Sequence, residues 1–340
     1  MEDRFAGVSW DPSRPVIGVV IVNYNGGKFI DDCLESLLET DYQKTLVFMV
    51  DNASTDGSVE HVERNYPWVH VIRNSRNYLF ARGANIGIRK ALEEKVDYLF
   101  LLNPDVTVTP NCISRLAHFL DVAPDVGACQ PKLLFRDKPD YIQSCGCRCS
   151  LSGRGWDYRM GEKDRPDLPA VEEVLGVTGG ALFVRSTAWA STTGFWEPFG
   201  MYYEDIDFSI RLRIEGFNLA CLNSAVAYHV FSGIVMQASS SKKYFFTERN
   251  CFWVVLRNFP VKKIFKSYLN SVPISLAMAG LNILKGRCVL GGCGLLGLVI
   301  GIFSLAVCLP FLLIAQLSKK RKYPFWNFID ETKILPPPPH

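Results

Sequence analysis

The 340-residue chain has almost no net charge: 37 Lys and Arg stand against 34 Asp and Glu, a formal +3. Without a one-sided field, nucleic acid is not an expected partner. The first fifteen residues include Glu2, Asp3, Arg4, Asp11 and Arg14 and no apolar run that would serve as an export signal. A disulfide framework is missing too. Eleven cysteines, an odd number, are scattered from Cys33 to Cys308 without paired spacing, which points to reduced thiols and a catalytic part facing the cytoplasm. No G-x-G-x-x-G follows the first apolar run and no G-x-x-x-x-G-K-[ST] occurs, so dinucleotide binding and a P-loop are both unsupported. No internal repeat is visible.

What the chain does have is alternation. Val16 to Val22 is a continuous β-branched run, the habit of a strand buried on both faces of a parallel sheet. Phe29, Ile30, Cys33, Leu34, Leu37 and Leu38 then recur with helical spacing before a second run, Leu46 to Val50. Short strands near 69–72, 98–102 and 126–130 alternate with helices near 80–94 and 111–120. An open, doubly wound, mostly parallel α/β sheet is expected. Residues 135–169 turn to Gly, Asp, Arg and Pro and predict a long excursion over the active-site side. Residues 174–185 predict a strand and 205–215 a helix, with Ile206, Ile210 and Ile214 on one face. Cys145, Cys147 and Cys149 alternate as they would on one face of a strand, without the spacing of a zinc site.

In such sheets ligands bind beyond the carboxyl ends of the strands. Three of those ends are polar: Asn23-Tyr24-Asn25, Asp51-Asn52 and Asn103-Pro104-Asp105. Taken singly, each is also an ordinary turn or cap sequence. Together they offer acceptors for a base or ribose at Asp51, and at Asp105 a hard-cation ligand for a diphosphate that has no glycine cradle. Glu204, Asp205 and Asp207 open the helix near 205–215 either as a catalytic acid cluster or as the acidic first turn that the helix dipole favours.

These residues carry a resemblance. Val20-Ile-Val-Asn-Tyr-Asn-Gly26, Val50-Asp-Asn-Ala-Ser-Thr-Asp-Gly-Ser58, Leu102-Asn-Pro-Asp105, Thr178-Gly-Gly-Ala-Leu-Phe-Val-Arg185, Gly194-Phe195, Tyr203-Glu-Asp-Ile-Asp207, His229 and Arg249-Asn250 resemble the motifs of glycosyltransferase family 2, in its rhamnosyltransferase-like branch. The resemblance implies a GT-A fold and an inverting sugar transfer. It implies nucleotide-sugar contacts from Asn23, Tyr24, Asn25, Asp51, Asn52, Asn85, Asn103 and Asp105, and a divalent cation, Mg2+ or Mn2+, on Asp105 and His229. It also implies Asp205 as the base that deprotonates the acceptor, with Glu204 beside it. Two positions depart from the pattern: Leu79 stands where relatives carry Gly, and Trp196 where Asp is common. A nucleoside-diphosphate sugar, such as dTDP-rhamnose, and a lipid-linked saccharide are the implied partners. A nucleotidyltransferase and a non-catalytic membrane scaffold of the same fold are the alternatives.

After Phe259-Pro260 the composition turns basic and then apolar, so residues 14–260 are read as the catalytic domain, 261–322 as a membrane-associated helical region and 323–340 as a tail. No residue from Cys288 to Ser318 is charged, and basic residues flank the run at Lys285, Arg287 and Lys319 to Lys322. That length can cross a bilayer. A second uncharged stretch, 267–284, is broken by Pro273, so a hairpin or re-entrant anchor on the cytoplasmic face of the plasma membrane is favoured over a single span. Gly291, Gly292, Gly294, Gly297 and Gly301 are read as glycines that lipid tolerates.

Overall fold

The computed structural model describes residues 14–230, 240–318 and 324–330. Lys319 to Lys322 and most of the expected tail lie outside the described residues. The apolar runs form strands β1 (Ile17–Asn23), β2 (Thr45–Asp51), β3 (Val69–Arg73) and β4 (Tyr98–Leu102). Between them run helices α1 (Ile30–Leu38), α2 (Ser58–Asn65) and α3 (Leu79–Glu93). Each helix buries one face, as Ile30, Cys33, Leu34 and Leu37 of α1 show. Of the three helices, α2 has no counterpart in the sequence reading; its mostly polar residues bury only Ser58, Val59 and Val62.

Next come β5 (Val106–Val108), α4 (Cys112–Val122), β6 (Val126–Phe135), β7 (Ile142–Ser144), β8 (Cys147–Ser150), β9 (Gly155–Asp157), β10 (Val171–Glu173), β11 (Ala181–Arg185), α5 (Ser186–Thr192), α6 (Glu204–Ile214) and β12 (Asn218–His229). Ten strands form one sheet, ordered β10-β12-β6-β11-β4-β1-β2-β3, with β5 on β12 and β7 on β6. The β3-β2-β1-β4 half is parallel, and antiparallel β11 joins it to the parallel pair β6-β12. The doubly wound architecture is as expected, with two detailed corrections.

Residues 174–185 are not one strand. Only Ala181–Arg185 pairs in the large sheet, because the Gly179-Gly180 turn bends the chain ahead of it. The three alternating cysteines do not share a face either. Gly146, at φ +118°, breaks the strand after Cys145. Cys145 therefore joins the core under α3 and α6, while Cys147 and Cys149 join a different one. All described cysteines are free.

Three long helices follow: α7 (Ser240–Asn258), α8 (Val261–Leu284) and the 31-residue α9 (Cys288–Ser318). Helices from both sides of Pro260 share one core. Ile206 and Ile210 of α6, Phe252 and Val255 of α7, Ile264 and Tyr268 of α8, and Leu298 of α9 are buried together, with Phe325 and Ile329 from beyond α9. Strand β13 (Ile329–Asp330) then pairs in parallel with β8, so the chain returns to the three-stranded sheet after its most apolar helix. Four of the five glycines read above have a packing reason; Gly292 faces open space. A Cβ on Gly294, Gly297 or Gly301 would meet Tyr244, the Phe245 carbonyl or Phe252 of α7 at under 3 Å, and one on Gly291 would meet Ile283 of α8.

Candidate functional site

The carboxyl ends of β1 and β2 meet in register, Asn23 beside Asp51. Asp51 is 3% exposed and accepts hydrogen bonds from Asn23 Nδ2 at 3.1 Å, Ser54 Oγ at 2.5 Å and Ser54 N at 3.0 Å. The Asn25 amide donates to Ser54 Oγ at 2.8 Å, and its side-chain oxygen accepts from Thr55 N at 2.8 Å. Asn25 and Ala53 hold positive φ in these turns, 53° and 59°. The two loops are thus knit into a stiff polar rim from which the Tyr24 ring projects into solvent. Such a rim suits a nucleoside, with acceptors for its N–H and O–H groups and an aromatic face for its base.

Asn52 and Asn85 do a different job. The Asn52 side chain bonds Leu79 O and Asn74 Nδ2, holding the loop that enters α3. Leu79 sits at φ +64° at that entrance, a left-handed backbone that a branched side chain adopts only with strain. Asn85, buried in α3, bonds both backbone groups of Phe195, at 2.8 and 3.0 Å, and so fixes the Gly194–Glu197 loop. On the outer side of that loop lies a cavity of about 400 Å3, walled by Arg89, Trp196, Arg211 and Arg257 and by none of the strand-end residues.

β4 leads into Asn103 and Asp105. Asn103 N donates to Gly180 O at 3.0 Å, which ties the third polar strand end to the Thr178-Gly179-Gly180 turn. Asp105 is buried, and its Oδ1 accepts no hydrogen bond. That oxygen lies 3.3 Å from His229 Nε2 at the end of β12. His229 Nδ1 faces Gln143 Oε1 at 3.3 Å, so carboxylate, imidazole and amide stand in one line of contacts. An imidazole nitrogen and a carboxylate oxygen at this distance are both ligand types that a divalent cation accepts. The donor set fits a divalent ion that takes its remaining ligands from water and a diphosphate. Among the described residues no third His, Cys, Asp or Glu joins them.

Across the Gly179-Gly180 turn stands the first turn of α6. Asp205 Oδ2 accepts from Gly179 N at 3.0 Å and Oδ1 from Ile206 N at 2.8 Å. Burial raises its pKa against these stabilising bonds. Glu204 is 5% exposed, and its Oε2 has no hydrogen-bond partner. Burial, and then the charge of Asp205, push its pKa well above the carboxylate range. The environments differ: burial and the neighbouring charge both push Glu204 up, whereas at Asp205 burial is opposed by two N–H donors at the helix N-terminus. Asp207, the third acid, is wholly buried and accepts from Arg211, Arg257 and Asn258, so it is a tie between α6 and α7.

Several contributors escaped the sequence reading. Tyr202 and Tyr203, which lead into α6, both hold left-handed φ, 66° and 70°. Asn250 Nδ2 clamps that turn through the carbonyls of Phe199, Met201 and Tyr202, and Arg249 Nη2 through those of Pro198 and Phe199. Arg249-Asn250 is visible as a motif, but its partners are some fifty residues away. Asp157, at the end of β9, has its pKa pushed up to about 6 by burial, and the nearby Asp205 adds to the shift. It belongs to the same electrostatic cluster, yet nothing in its sequence neighbourhood marks it.

Known proteins share the fold and the sequence pattern of this chain. The family model described as Glycosyl transferase family 2 matches residues 18–189, half of the chain. The N-acetylglucosaminyl-diphospho-decaprenol L-rhamnosyltransferase of Mycobacterium tuberculosis is 28% identical over 234 residues, 63% of this chain and 76% of that one. The mannosyltransferase PcManGT from Pyrobaculum calidifontis, solved with GDP-Man and Mn2+, aligns with TM-score 0.53 and 17% identity over 94% of this chain and 85% of its own. GalNAc-T7, solved with UDP, GalNAc and Mn2+, aligns with TM-score 0.53 and 15% identity over 65% of this chain and 44% of its own. The structural likenesses establish the GT-A type of the fold, and the family model favours a glycosyltransferase over the nucleotidyltransferase alternative. With strand-end motifs, architecture and family model in accord, the chain is a rhamnosyltransferase-like glycosyltransferase and belongs to glycosyl transferase family 2.

Proposed function

We propose that this enzyme transfers a sugar, with inversion, from a nucleoside-diphosphate donor to a lipid-linked saccharide during cell-surface polysaccharide synthesis, on the cytoplasmic face of the plasma membrane. The observation that carries the proposal is the facing pair of Asp105 Oδ1 and His229 Nε2 at 3.3 Å, one glycine turn away from Asp205. Asp51, with Asn23, Asn25 and Tyr24, holds the nucleoside. Asn52, Asn85 and Asn103 shape the floor beneath it.

Asp105 and His229 would hold Mg2+ or Mn2+, whose charge would stabilise the diphosphate as it leaves. Asp205 takes the proton from an acceptor hydroxyl while that oxygen bonds to the anomeric carbon, and the bond to the diphosphate breaks with its electron pair on the leaving oxygen. With Glu204 pushed toward its protonated form by burial, the negative charge of the pair would rest on Asp205. The M. tuberculosis relative, named for L-rhamnosyl transfer to a decaprenol-linked sugar, supports dTDP-rhamnose as the first donor to try and a polyprenyl diphosphate saccharide as the acceptor. Helix α9, with mean hydropathy 2.3 over Cys288–Val307, supports attachment to a membrane.

A thermal-shift and turnover screen of the purified full chain against UDP-, dTDP- and GDP-sugars tests the reading. One nucleotide class is expected to stabilise the protein only with Mg2+ or Mn2+ present, and Asp105→Ala and His229→Ala to abolish that dependence. Stabilisation and turnover that persist in excess chelator would refute the metal assignment.

A further inference from the structure

We propose that α8 and α9 attach the enzyme to one leaflet, lying in its plane along the outward stripe of both helices, and that α9 does not cross the bilayer. The inference rests on the membrane attachment proposed above and concerns its geometry.

The first observation is the level at which α9 sits. Gly294, Gly297 and Gly301 lie against Tyr244, Phe245 and Phe252 in the same chain order, and Trp253 Nε1 donates to Ser304 Oγ at 2.9 Å, so α7 runs alongside the middle of the apolar stretch. Helix α7 is part of the catalytic body. Its Glu248 pairs with Arg154 at 2.8 Å with both side chains buried, its Asn250 clamps the turn before α6, and its Asn258 holds Asp207. An upright α9 would carry these ion pairs and the loops they hold into the hydrocarbon, where buried charge is strongly disfavoured.

The second observation is that both ends of the helical pair are tied to the same body. Helix α8 is antiparallel to α9, since Tyr268 Oη bonds Gly301 O while Gly291 packs on Ala279 and Ile283. Ser271 of α8 bonds Ser152 O, and Ser275 bonds Glu248 at 2.6 Å. Beyond α9, Phe325 and Ile329 return to the core shared with α6.

The third is what remains uncovered. Because Ile264, Tyr268 and Leu298 turn to one core, the opposite sides of both helices face away from it. Those sides expose Phe265, Leu269 and Leu276 on α8 and Leu296, Val299 and Phe303 on α9, each more than half exposed. Exposed Lys262, Lys266, Lys285 and Arg287 border the stripe. An apolar strip edged with cations fits the headgroup boundary of a leaflet that contains anionic lipid.

The test uses the full chain with Cys288, Cys293 and Cys308 replaced by serine and a single nitroxide-labelled cysteine at Val289, Leu296, Phe303, Leu269 or Leu276. All five positions are exposed, so the labels do not disturb the core. On vesicles of phosphatidylcholine and phosphatidylglycerol, depth is read from collisions with oxygen and with a nickel chelate. An upright helix would separate Val289 and Phe303 in depth by about 21 Å. The in-plane geometry predicts that all five labels lie within a few ångströms of one depth in a single leaflet. A progression from Val289 through the bilayer centre toward Phe303 would overturn it while leaving attachment intact. Failure of the full chain to float with vesicles would overturn both readings. A detergent-free dimer with labels shielded from both reagents would replace lipid with a second copy of the chain.

Discussion

The rim at the ends of β1 and β2 and the first turn of α6 are both polar, both built on positive-φ turns and both part of one site, yet they are held in opposite ways. The rim supports itself: Asn23, Asn25, Asp51 and Ser54 bond to one another across two loops about thirty residues apart. The α6 turn is held from outside, by Asn250 and Arg249 from α7, by Arg257 and Asn258 through Asp207, and by Gly179 on Asp205. Since α7 is in turn backed by glycines of α9, Asp205, the proposed base, is coupled through packing to the helix read as the membrane anchor. The lesson is that donor binding and proton transfer should fail separately.

The sharpest break of that pairing is Asp205→Asn. Turnover is expected to fall by about 10²–10⁴-fold, the usual worth of a general base, with nucleotide-sugar affinity nearly unchanged. Turnover within a few-fold of the parent enzyme would remove Asp205 from the role of base.

Next in size is Gly297→Val. Its Cβ would lie 2.8 Å from the Phe245 carbonyl and 3.1 Å from Glu248 Cβ, so α9 must move off α7. A loss of about 1–3 kcal/mol is expected, with a thermal midpoint lower by several degrees. An unchanged midpoint would mean that α7 does not lean on α9.

Glu204→Gln probes the pH side. A carboxyl whose folded pKa is raised binds more protons folded than unfolded, so the parent protein loses stability as pH rises from the unfolded value near 4.5 toward the folded one. Glutamine removes that slope. The variant should gain on the parent steadily through this window, as followed by denaturant midpoints at several pH values. Parallel pH curves would show that Glu204 is not the protonated partner.

The smallest effect belongs to Leu79, on the donor side. A left-handed backbone costs a branched residue about 1–2 kcal/mol. Leu79→Gly is therefore expected to be more stable than Leu79→Ala, the reverse of the usual order, by about 1 kcal/mol. If the alanine variant is the more stable, no strain resides there.

The sequence by itself determined the alternating strands and helices, the polar strand ends and the uncharged reach of α9, because each is written in neighbouring residues as apolar period, turn chemistry or length. Leu79 stood out only through the family resemblance, as a departure from its pattern. What the tertiary structure decided are the distances that join remote segments. His229 comes to Asp105 only because β12 pairs with β5; Asn250 reaches the turn before α6 only because α7 folds back along it. Asp157 enters the acidic cluster from a hairpin with no local mark, and Gly146 sends three alternating cysteines into two cores. The glycines of α9 are consistent with lipid and with close packing alike as letters, and only the neighbours supplied by α7 and α8 assign the second role to Gly291, Gly294, Gly297 and Gly301. Local preference acts over a few residues, whereas these contacts are set by which long elements can bury their faces against one another.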